Sequence, residues 1–239
     1  MEANIIPSMK ETLFDPMVAG MGDSLVDIAD LGLDAVLADG VLDGVPVLKS
    51  IAALCRTGVN LRERNLIRQT ATFISEFNKG TISQERLDEY RRNLEDDPVR
   101  AEKELGRIML LLDRMLEEKQ AKVLANFYGA YVKGAITWGT FVELSEVNAR
   151  MLVSDYAELD SISRSPVQQT DEISSGRMCK IMRLVSLGLV IEHSARLHSG
   201  NLLTYEETDD RFTTTSLGGT FFSLMGRERT ACNAFDRYP

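Results

Sequence analysis

The chain has little of what catalysis or metal binding requires. Its 239 residues include two histidines, His193 and His198, and three cysteines, Cys55, Cys179 and Cys232. Neither histidine lies near a cysteine or an acidic cluster at ligand spacing, so no metal site is expected. An odd, scattered set of cysteines builds no disulfide framework and suits a reducing compartment. Cys55 and Cys179 fall on apolar helical stripes and read as packing residues. Gly-x-Ser-x-Gly, phosphate-loop and dinucleotide fingerprints are all missing. The paired acids Asp96-Asp97 and Asp209-Asp210 read as caps and turns. The expectation is a protein that is not an enzyme, with no catalytic residues, no cofactor and no small-molecule substrate.

Aromatic residues make up 7% of the chain and there are six prolines, which favours helices over a β-sandwich. Long apolar runs are also scarce. The uncharged stretch from Val123 to Val132 is about half of the roughly 20 residues that spanning requires. No basic region followed by an apolar run marks a leader at the start, so a cytoplasmic location is expected. Positive charge is in short supply as well. The net charge is −9, with 17 basic and 23 acidic residues up to Leu144 and 10 and 13 after it. Proteins whose main task is to coat nucleic acid are usually basic, because phosphate contacts need Lys and Arg.

Helical periodicity is present in quantity. Residues 1–16, with Pro7 and Pro16 as breakers, read as a loose arm. From 17 to 60 small residues are frequent, and acids recur at Asp23, Asp27, Asp30, Asp34, Asp39 and Asp43, several of them three or four apart on one helical face. Leu25, Ile28, Val36 and Leu37 oppose them. Gly44 and Pro46 break this helix, and a second starts near Val47. The segment reads as a helical hairpin. A membrane-inserting segment is the competing reading, but the Asp series is costly near anionic lipid.

Residues 61–79 predict an amphipathic helix, with Leu61, Ile67, Phe73, Ile74 and Phe77 inward and Arg62, Glu63, Arg64 and Arg68 on a solvated side. Asp96-Asp97-Pro98 ends one helix and starts another. In the latter, Leu105, Ile108, Met109, Leu112, Met115 and Leu116 form the core stripe. An internal repeat is visible: Phe73-x-x-x-Phe77-x-Lys79-Gly80-x-Ile82-Ser83 recurs as Phe127-x-x-x-Tyr131-x-Lys133-Gly134-x-Ile136-Thr137 at a constant offset of 54. Each copy reads as helix, Gly stop, Ser or Thr N-cap, next helix. This pattern is similar to TerB-like helical domains, although the metal-binding acids of that family are not evident.

The last third predicts a helix over Ser145–Leu159, a short helix from Pro166 to about Glu172, and a third helix capped by Ser174 or Ser175. That third helix turns Met178, Ile181, Met182, Val185 and Leu187 inward and Arg177, Lys180 and Arg183 outward. Leu187-Gly188 ends it. Leu189-Val190-Ile191, Leu202–Tyr205 and Phe212–Thr215 are strand-like, and Leu217-Gly218 opens a final helix. This order resembles a winged helix-turn-helix module. The resemblance implies that the third helix contacts DNA or a partner through Arg177, Lys180 and Arg183. The acids Glu206, Glu207, Asp209 and Asp210 at the wing tip oppose docking on phosphate.

The expected fold is therefore mainly α: a multi-helix body over 17–155 with helix-loop-helix repeat units at about 61–83 and 115–137. A small α+β winged-helix-like module over 156–226 follows, with flexible termini at 1–16 and 227–239. A helical body joined to such a module resembles helical proteins of bacterial abortive-infection loci of the alpha type. That resemblance implies a non-enzymatic role in phage defence through protein contacts and self-association. A DNA-binding transcription regulator is the second reading, and a membrane-acting effector using residues 17–60 the third.

Overall fold

In a computed structural model, the structure describes residues 5–22, 24–25, 27, 44–54, 61–79, 82–168, 173–193 and 211–226. It is mainly helical, with a small antiparallel sheet near the C-terminus. The described helices are α1 (Ile5–Leu13), α2 (Pro16–Met21), α3 (Pro46–Leu54), α4 (Leu61–Phe77), α5 (Gln84–Asp96), α6 (Pro98–Arg114), α7 (Glu118–Val132), α8 (Trp138–Asn148), α9 (Val153–Arg164), α10 (Ser175–Ser186) and α11 (Ser216–Leu224). The strands are β1 (Val167–Gln168), β2 (Val190–His193) and β3 (Arg211–Thr214), in the order β1-β3-β2. No helix among the described residues is long and apolar enough to cross a membrane. Most of the acidic hairpin, Cys55, the expected strand Leu202–Tyr205, the acidic wing tip and the tail from 227 lie outside the described residues.

Within the expected loose arm, the described residues 5–16 are mostly helical. Ile5, Met9 and Leu13 recur at a spacing of four, and Met9 and Leu13 are buried. Pro7 sits in the first turn, where its missing N–H removes no helical bond. Pro16 is the first residue of α2, capped by Asp15, whose side chain accepts from Met17 N at 2.8 Å.

At the centre α4 packs along α7, the most extensively packed pair of helices. Phe73 and Phe127, equivalent positions of the repeat, are both fully buried. Ser83 and Thr137 cap α5 and α8, accepting from Arg86 N at 3.4 Å and Thr140 N at 3.2 Å. Gly134 takes φ +76°, which accounts for a glycine at that stop. Ile82 reaches across to α7, where its Cδ1 lies 3.7 Å from the position a Cβ on Gly129 would take. The rings of Phe73, Phe77, Tyr128, Phe141 and Trp138 form a chain of contacts with centroids 5.0–6.2 Å apart.

A polar cluster is built into this core. Tyr90 donates to Glu104, and its hydroxyl lies 2.9 Å from that of Tyr128. Tyr131 donates to Glu104 Oε1 at 2.6 Å, and Arg100 Nε does so at 2.7 Å. Glu104 is 3% exposed, and these donors stand where water would otherwise hydrogen-bond its carboxyl group. Burial pushes the Tyr90 and Tyr128 hydroxyls well above the usual tyrosine range.

Three boundaries differ from the sequence pattern. The helix expected over Ser145–Leu159 is interrupted, because α8 ends at Asn148 and α9 starts at Val153. The break is held from a distance. Gln120 Nε2 donates to the carbonyls of Asn148 at 3.3 Å and Met151 at 3.1 Å, and Asn148 Nδ2 donates back to Gln120 O at 2.8 Å. Where a helix was expected from Pro166, Val167 and Gln168 pair with Phe212 and Arg211 of β3. Leu116 lies beyond the end of α6, so the core stripe no longer holds it and it is 77% exposed.

The core runs unbroken into the C-terminal elements. Phe221 of α11 is fully buried and meets Phe127 of α7 edge-on, with centroids 4.9 Å apart at 77°. The division expected between 155 and 156 falls inside α9.

Candidate functional site

The third helix of the expected module is α10. Ser174 caps it, accepting from Arg177 N at 3.4 Å. It closes with paired bonds, Gly188 N to Val185 O at 2.9 Å and Leu189 N to Leu184 O at 3.0 Å, around Gly188 at φ +74°. This closure needs a left-handed residue, which glycine supplies at least steric cost. The chain then enters β2, whose Val190 is buried against the core while Ile191, Glu192 and His193 are exposed. His193 Nε2 lies 2.8 Å from Thr213 Oγ1 on β3.

Arg177, Lys180 and Arg183 are brought to one helix, but not as three free cations. Arg183 Nη2 lies 2.6 Å from Asp155 Oδ1, and its Nε lies 3.1 Å from Asp155 Oδ2. The Asp155 side chain is fully buried. It also accepts from Leu152 N at 2.9 Å, capping α9. Arg177 Nε donates to Glu158 Oε1 at 2.9 Å, and its Nη2 donates to Ser161 Oγ at 3.3 Å. Two of the three cations therefore fasten α10 to α9. The hydrogen bonds that Arg183 donates to Asp155 raise its guanidinium above its ordinary value. Among the described residues Lys180, which is half-buried, has no carboxylate partner.

The outermost line of α10 is different from the expected one. Ser175, Cys179, Met182 and Ser186 are all exposed and stand four, three and four residues apart, which puts them on a single ridge. Met182, expected inward, is 44% exposed. Ile181 and Leu184 fill the inward positions and are fully buried. Cys179, expected as a packing residue, is exposed too. The ridge carries no charge. The Arg positions were legible as cationic, whereas their partners lie 19 and 28 residues away on another helix and had no local signal.

The Glu104 cluster was missed although its sequence carries a signal. Ala101, Glu104, Leu105 and Ile108 share the buried side of α6, so an acid stands inside an apolar stripe. An acid in that position requires buried donors, which Arg100 and the tyrosines provide. No group of three or more His, Cys, Asp or Glu side chains suited to a metal ion is found among the described residues.

No family model, no curated protein and no solved structure matches the chain.

Proposed function

We propose that the protein is a non-enzymatic interaction protein whose C-terminal elements form a winged-helix module used for protein contact. The observation that carries this reading is the neutral ridge Ser175-Cys179-Met182-Ser186 on α10, flanked by arginines already paired to Asp155 and Glu158. A helix that enters the major groove presents donors and cations outward, because phosphate and base-edge contacts provide the binding energy. A neutral ridge with an exposed methionine suits a protein surface better. The partner we assign is a second copy of the chain. At net charge −9 two copies repel, and an uncharged ridge is where close approach is least opposed. The sequence resemblance to abortive-infection proteins supports a role for this association in phage defence.

Sedimentation velocity over a range of protein concentrations tests the proposal. Self-association that weakens at least tenfold in Met182→Glu supports it. A chain that stays monomeric throughout, or a dimer indifferent to Met182→Glu, contradicts it.

Transcriptional regulation through DNA is the second reading. It is favoured by the order of elements, with α10 leading directly into β2 and the pair β2 and β3 preceding the last helix, the order on which the winged-helix resemblance rests. It rests on Lys180 as the cation left available.

A further inference from the structure

We draw no further inference here: the strongest candidate, the cleft of about 710 Å³ between α7 and α9 with the exposed side chains of Leu116 and Val153 at its rim, carries none, because Arg68 and Arg164 on its walls are already paired to Glu118 and Asp160 and nothing in the structure shows what covers it.

Discussion

Arg183 closes on Asp155 with three contacts of 2.6–3.2 Å, although the two are 28 residues apart and on different helices. The carboxylate also caps α9 through Leu152 N, so one buried acid both starts a helix and receives the next. Removing the arginine strands a charge in a site with no exposure. Breaking a fully buried pair costs about 3–5 kcal/mol, and the partial exposure of Arg183 lowers this to about 2–3 kcal/mol for Arg183→Met. Lys180→Glu on the same helix should stay within about 0.5 kcal/mol. Urea unfolding of both variants checks the contrast, and equal stabilities would contradict the pairing.

Gly218 is required by a close approach. A Cβ there would lie 1.9 Å from the carbonyl oxygen of Leu189, which also accepts from Thr215 N at 3.0 Å. Backbone opposes backbone, so no rotamer relieves the clash. Gly218→Ala should lower stability by about 1–3 kcal/mol through overpacking. The next residue provides the control. A Cβ on Gly219 meets nothing within 4 Å, so Gly219→Ala should stabilise α11 by about 0.5–1 kcal/mol. Thermal melts that move in opposite directions confirm this; shifts of the same sign would not.

Stability should fall steeply in alkali. Burial raises the hydroxyls of Tyr90, Tyr128 and Tyr156 above their ordinary value in the folded state. Above pH 10 the unfolded chain releases these protons and the folded chain keeps them, so unfolding is favoured as pH rises. Each tyrosine contributes about 1.4 kcal/mol per pH unit beyond that point, and below it the stability is fully present. Tyrosinate absorbance from these three should appear together with loss of helical circular dichroism. Tyr156→Phe should make the dependence shallower. Titration of all six tyrosines while the helices persist would contradict the buried assignment.

The legible parts of the fold were those whose signals are local. Asp97-Pro98, Ser83, Thr137 and Ser174 each cap the helix that follows, and each could be read from a few residues. The turn at Leu187-Gly188 was equally visible. What escaped depends on distant partners. The break between α8 and α9 is stabilised by Gln120, and β1 is two residues long, defined only by pairing with β3 more than 40 residues later. Pro7 misled because a proline early in a helix looks like one that ends it. On the candidate site, residue type was legible and direction was not. The ridge of α10 was assigned to its arginines, but buried acids on α9 rotate them to its flank and leave Met182 outside.

The central claim, that α10 presents a protein-contact ridge and not a DNA-reading one, is tested most directly by fluorescence anisotropy. A mixed-sequence DNA duplex is titrated with the purified chain at low and at physiological salt. The account predicts no binding at micromolar protein under either condition, and the same result for Lys180→Glu. Micromolar binding that weakens with salt and is lost in Lys180→Glu would contradict it and make α10 a recognition helix.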